Sequence, residues 1–167
     1  MRYEISPMTR ADAREIVMWR YEAPYDIYNI HEEGGNVELE IESMLDDCHY
    51  AVRAAKVGLV GFFCYGVIAQ VPGGWARGVY RGRRVLDIGL GMRPDLTGRG
   101  LGQGFVQAGV DFAVDQWRPN AMRLTVASFN RRAIRTYERV GFQAIDTVTS
   151  NTPRGPETFI IMLLPIK

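Results

Sequence analysis

The stretch DLTGRGLGQG, Asp95 to Gly104, places glycine at positions 98, 100, 102 and 104. An apolar run, VLDIGLGM (85–92), precedes it, and a helix-like run, FVQAGVDFAV (105–114), follows. The pattern predicts a strand, a glycine hinge and a helix. Glycine admits positive φ and lets the backbone come close to a ligand. A hinge at a helix N-terminus aims several N–H groups in one direction and adds partial positive charge, and together these bind phosphate oxygens. Arg99 adds a cation inside the turn. Two phosphate motifs fail here. A Walker loop needs GxxxxGK followed by Ser or Thr, and the chain has no Lys followed by either. A GxGxxG fingerprint begun at Gly98 meets Gln103, and one begun at Gly100 meets Phe105. Taken alone, the stretch is also compatible with a glycine-rich turn that holds no ligand.

Working outward, RYEIS (2–6) reads as a first strand. Thr9 and Asp12 have the spacing of a capping box that opens a helix, TRADAREIVMWR. YEAPYDIYNI (21–30) is broken by Pro24, and the spacing of Tyr21, Tyr25 and Tyr28 suits a partly helical segment. A second helix is expected over 36–46. HYAVRAA (49–55) and GLVGFFCYGVIAQ (58–70) read as strands joined by a turn near Lys56–Gly58, the second so apolar that it belongs in the middle of a sheet. VPGGWARGVYRGRR (71–84) reads as a basic, glycine-rich loop. After the strand at 85–92, a helix is expected over 101–117, with Leu101, Phe105, Ala108, Phe112 and Ala113 as its apolar stripe. A strand (122–128), a helix from Asn130 to about Val140 capped by Gly141, and a final hairpin complete the order. The sum is mixed α/β: one main sheet with helices on its faces, and no linker to divide residues 1–167 into more than a single domain.

The helix NRRAIRTYERVGF (Asn130–Phe142) supplies a second motif. Together with RPDLTGRGLG it resembles the GNAT superfamily of N-acetyltransferases. That family carries V-x-P-x-x-[QR]-G-x-G-[ILV]-G after a strand, then a helix, a strand, and N-x-x-A-x-x-x-Y-x-x-x-G-F. Here Met92-Arg93-Pro94 stands for the first three positions, Gly98-Arg99-Gly100-Leu101-Gly102 matches the loop, and Asn130, Ala133, Tyr137, Gly141 and Phe142 match the second motif. The resemblance is close over about residues 85–145, and it departs at Thr97, where the family usually has Gln or Arg. It implies a mostly antiparallel sheet of about six to seven strands flanked by about four helices.

The resemblance also implies acetyl-CoA as cosubstrate. Its pyrophosphate is expected on Thr97, Gly98, Arg99, Gly100, Leu101 and Gly102, and its pantetheine arm along Leu90, Gly91 and Met92. Asn130 and Ala133 face it from the second motif, and Gly89 and Gly91 are expected to permit its close approach. Acetyl transfer to an amine needs the neutral amine, whose pKa in the free state is about 10. It also needs stabilisation of the thioester oxygen and a proton for the departing thiolate. Tyr137 is the candidate acid, on the same helix face as Asn130. The Met92 N–H is the candidate oxyanion donor. Some family members place a basic Glu where this chain has Thr125, so Asp87 is the nearest carboxylate candidate for a base. An Arg-paired or exposed strand charge is the competing reading, and a water chain is an alternative route for the proton.

WRYEAPYDIY offers Trp19, Tyr21, Tyr25 and Tyr28 as walls of an acceptor pocket, with Glu22 or Asp26 to attract a cationic amine, although core packing accounts for at least half of such aromatics. The expected acceptor is a small-molecule amine or a peptide N-terminus. A catalytically silent acyl-CoA-binding regulatory module is the alternative, and a homodimer is an open expectation because dimers are common among similar proteins. Net charge of +1 and 47% hydrophobic residues give no sign of nucleic acid or a membrane surface as partner. No apolar run approaches the roughly 18 residues of a spanning helix. MRYEISPMTRAD lacks an apolar signal core, which predicts a cytoplasmic protein. Cys48 and Cys64 lack a CxxC spacing, and His31 and His49 stand alone, so neither a disulfide framework nor a metal site is expected.

Overall fold

The computed structural model describes all residues from Met1 to Lys167. One sheet runs through the molecule. Its strands are β1 (Tyr3–Pro7), β2 (His49–Ala54), β3 (Gly58–Tyr65), β4 (Val85–Met92), β5 (Ala121–Ala127), β6 (Gln143–Thr152) and β7 (Gly155–Pro165). They lie in the order β1-β2-β3-β4-β5-β7-β6, and every neighbouring pair is antiparallel except β4–β5. The helices are α1 (Arg10–Val17), α2 (Val37–Ser43), α3 (Pro72–Arg77), α4 (Gly102–Trp117) and α5 (Arg131–Val140). The seven strands match the expected sheet, and α3 is one helix more than the sequence suggested.

Local chemistry sets the boundaries. Thr9 and Asp12 form the expected capping box, each side chain accepting from the other's backbone N–H. Asn36 caps α2 by accepting from the N–H groups of Glu38 and Leu39. Lys56 and Gly58 turn β2 into β3 with φ of +64° and +82°. The apolar run 58–70 is strand only to Tyr65, because Gly66 breaks away at φ +85°, ψ −148° and a 3-10 turn follows at Val67–Ala69. Segment 71–84, expected as a loop, contains α3. Pro72 stands at its first position and Gly78 closes it in the left-handed region, so two residues that read as turn formers bracket a helix instead.

Side-chain alternation sends neighbouring residues to opposite faces. Val52 and Ala54 of β2 and Leu124 and Val126 of β5 join the main core under α4 and α5. Ala51 joins a second cluster under α1 and α2, and Ala127 a third with Ile27, Val71 and Tyr80. On the main face α4 presses close to β3. A Cβ on Gly109 would stand 2.7 Å from the Phe63 ring, and the Tyr65 hydroxyl donates to Gly109 O at 2.8 Å. Phe63 and Phe105 pack with centroids 4.7 Å apart, each fully buried and each contributing about 1.5–3 kcal/mol by area alone. Val106, Gly109 and Val110 also lie in this buried stripe, while Ala108 and Phe112 are only half-buried.

Candidate active site

The sheet opens in its middle. β4 pairs with β5 only from Val85–Ala121 to Asp87–Arg123, although β4 runs on to Met92 and β5 to Ala127. Along its other edge β4 stays paired with β3 as far as Met92. Gly66 N donates to Asp87 O and Arg93 N to Val60 O, so the odd-numbered residues of β4 bond to β3. The backbone of Leu90 and the N–H of Met92 therefore face the gap with no strand to pair with. Met92 O has a partner, the Tyr21 hydroxyl, which donates to it at 2.8 Å. Gly89 and Gly91 serve the protein's own packing here. A Cβ at Gly89 would meet Cys64 Sγ at 2.6 Å, and one at Gly91 would meet the Phe62 ring at 2.3 Å.

Two cavities meet at this fork. The first, of about 440 Å³, is lined by Leu90, Met92, Gly98, Gly100 and Gly102 on one side and by Arg132, Ala133, Arg135, Tyr137 and Arg139 of α5 on the other. Gly98 and Gly100 have φ of +73° and +77°, the region that glycine alone adopts without strain. Every backbone N–H from Gly98 to Gly104 lacks an acceptor within the chain, and no side chain caps α4. These donors, the N-terminus of a 16-residue helix and three facing arginines fit a phosphate-bearing anion. Arg99 is exposed at the loop tip and Leu101 packs on the main core, so neither side chain lines the cavity. Thr97 folds back, its hydroxyl donating to Pro94 O at 2.8 Å, and it borders a separate mouth with Arg20 and Glu22.

The second cavity, of about 260 Å³, lies between the parted strands and the 3-10 turn Tyr25–Tyr28. Tyr21, Tyr25 and Tyr28 line it, and Trp19 does not: it packs on Phe62 at 6.5 Å and on the α1–α2 cluster. Asp26, expected to attract an amine, is paired with Arg154. Asn130 caps α5, its Oδ1 accepting from Ala133 N at 3.1 Å, and its Nδ2 donates to the Tyr28 hydroxyl at 3.2 Å. Burial pushes the Tyr28 hydroxyl upward from its ordinary pKa, and hydrogen bonds from Asn130 and the Ala127 backbone pull it back in part.

Tyr137 lines both cavities. Its ring is buried and its hydroxyl makes no hydrogen bond within the chain. Burial first, and the neighbouring Tyr28 second, raise its pKa well above the tyrosine range, so it holds its proton at neutral pH. Leu90, Met92 and Arg132 also line both cavities, which places this hydroxyl at their junction.

Asp87, expected as a base, is corrected by the structure. Arg123 Nε and Nη2 donate to its two oxygens at 2.6 and 2.7 Å, Gln70 Nε2 donates at 2.8 Å, and both charged residues are buried. Both oxygens of this carboxylate are engaged, and Asp87 lines neither cavity. The sequence reading missed Arg132, Arg135 and Arg139. Their i, i+3, i+7 spacing on α5 was the available signal. Arg132 is the most connected of them. It lies over the Tyr25 ring at 4.5 Å, and its Nη1 is 3.5 Å from where a Cβ on Gly98 would stand.

Comparison with known proteins gives consistent results. Residues 11–142 match the family model described as acetyltransferase (GNAT) family. The chain is 33% identical over 87 residues to a kanamycin resistance protein of Rhizobium radiobacter, a match that covers 52% of this chain and 78% of that protein. It is 33% identical over 67 residues to a mycothiol acetyltransferase of Propionibacterium freudenreichii subsp. shermanii, covering 40% of this chain and only 21% of that longer protein. Among solved structures, a Vibrio cholerae spermidine N-acetyltransferase in complex with CoA and spermine superposes with a TM-score of 0.73 at 16% identity, over 98% of this chain and 95% of that one. The aminoglycoside acetyltransferase AAC(6')-Ib in complex with ribostamycin and coenzyme A gives 0.71 at 21% identity, over 96% and 93%. These two likenesses concern the fold.

Proposed function

Because the chain belongs to the acetyltransferase (GNAT) family, we propose that it moves an acetyl group from acetyl-CoA to a primary amine, of a small molecule or of a peptide N-terminus, by direct transfer. The observation that carries this reading is the unbroken run of unbonded N–H groups from Gly98 to Gly104, which lines a cavity that ends at the Tyr137 hydroxyl. Acetyl-CoA supplies an activated acyl carbon: the transfer forms a bond from that carbon to the amine nitrogen and breaks its bond to sulfur, the amine losing a proton and the sulfur gaining one.

The chain's own groups divide that work. The loop N–H groups and the α5 arginines hold the phosphates. The backbone of Leu90 offers strand-like hydrogen bonds to the pantetheine amides. The Met92 N–H, anchored because its carbonyl is fixed by Tyr21, is the oxyanion donor. Tyr137 keeps a proton at the junction and gives it to sulfur. No carboxylate lines the acceptor cavity, so the amine loses its proton to solvent. The test is calorimetric titration with acetyl-CoA followed by a free-thiol assay over an amine and peptide panel. Binding and thiol release that depend on an amine support the proposal; absence of acetyl-CoA binding refutes it.

A further inference from the structure

The acceptor cavity has a wall made mostly of aromatic and aliphatic residues. The Tyr21 hydroxyl donates to Met92 O at 2.8 Å. The Tyr28 hydroxyl is bonded by Asn130 at 3.2 Å. The Thr125 hydroxyl meets that of Tyr80 at 2.8 Å, and Tyr80 in turn accepts from Val71 N at 2.9 Å. The Tyr21 and Tyr28 rings are joined in the wall by Phe62, Ile88 and Leu124. Tyr137 and Tyr25 each bring a hydroxyl with no partner in the chain, that of Tyr137 at the point of transfer.

Charge points the same way. The one ionised side chain that lines the cavity is Arg132. Asp26 is turned to Arg154 and Asp87 to Arg123, and Glu157, which acts on Tyr28 from nearby, does not line the cavity. Glu22 borders the separate mouth with Arg20. A second ammonium group on the acceptor would meet a guanidinium and no carboxylate, in a setting where charges are poorly screened. The volume of about 260 Å³ also falls below the roughly 300–1,000 Å³ of sites for drug-sized ligands.

We infer that the acceptor is a small monoamine with an apolar or aromatic body, and that polycationic amines are poor acceptors. The inference rests on the acetyl-transfer reading above. The flat body lies against the Tyr25, Tyr28 and Phe62 rings with its single amino group toward Tyr137. A second ammonium finds no carboxylate among the residues that line the cavity.

The test compares 2-phenylethylamine, spermidine and kanamycin as acceptors for the full-length protein at saturating acetyl-CoA, by free-thiol release. The expected result is a kcat/KM for 2-phenylethylamine at least about 10-fold above either polycation. Its KM should also hold steady between low and high salt, because apolar contacts are not screened. Equal or better turnover of spermidine or kanamycin overturns this acceptor class and leaves acetyl transfer intact. Binding of acetyl-CoA with no thiol release on any of the three overturns the class and the transfer reading together.

Discussion

Asp87 and Arg123 are the last residue pair on the parallel seam between β4 and β5, and their side chains lock together in a buried bidentate ion pair at 2.6 and 2.7 Å. The pair sits where the two strands part. Arg123 Nη1 also donates to Arg81 O at 2.7 Å and so ties down the chain after α3. Removing one partner leaves a buried charge alone, which costs about 3–5 kcal/mol. Asp87→Ala is expected to lower folding stability by that amount in a denaturant titration. If Asp87 were instead the base, the variant would keep its stability and lose the rise of activity with pH.

Tyr137→Phe keeps the ring and removes the one unbonded hydroxyl at the junction of the cavities. Turnover is expected to fall by about 10²–10⁴, the usual contribution of a placed general acid. Acetyl-CoA affinity should change by less than about threefold, since the hydroxyl holds no other group. Steady-state kinetics beside calorimetry separates the two. Equal losses in turnover and affinity would show a binding role.

Gly100→Val and Gly104→Ala form a matched pair. Neither glycine has a neighbour within 4 Å of a Cβ, but Gly100 has φ +77° and Gly104 lies in the first turn of α4. Valine at 100 forces the loop out of the left-handed region at about 1–3 kcal/mol and disperses its N–H groups. Acetyl-CoA affinity is expected to fall at least about 10-fold, which corresponds to 1.4 kcal/mol. Alanine at 104 keeps the N–H and should leave affinity unchanged while stabilising the helix by about 0.5–1 kcal/mol. Calorimetry and thermal melting read both variants.

Burial raises the pKa of Tyr21, Tyr65 and Tyr137 in the folded chain above the ordinary 10.0. In the unfolded chain these groups release protons near that value. The stability they give is thus whole below about pH 10 and is lost as pH climbs toward their folded values, at about 1.4 kcal/mol per pH unit for each group. Denaturation midpoints should stay level from pH 7 to 9 with respect to these groups and drop beyond 10. Absorbance of tyrosinate at 295 nm should show them ionising only as the protein unfolds.

Much of this was legible in the residues. The capping box at Thr9, the strand VLDIGLGM, the glycine hinge and the cap at Gly141 each rest on interactions within a few positions, and they stand where local chemistry puts them. What stayed hidden depended on distant partners. Asp87 looks like any strand carboxylate until Arg123, 36 residues away, closes on it. Trp19 resembles its tyrosine neighbours, yet α1 turns it toward Phe62. The spacing of Arg132, Arg135 and Arg139 marks one face of α5, but that this face lies beside the glycine loop depends on packing.

The short seam from Val85–Ala121 to Asp87–Arg123 is the spine of a book whose leaves are β1–β4 and β5–β7–β6. Each leaf is internally bonded to its own edges, and between them a few rungs and one clamp hold the binding angle. A ligand arm laid along Leu90 and Met92, as proposed above, would act as a splint across the open pages. Recognition at this fork would then also be repair, the gripped molecule completing the seam that grips it.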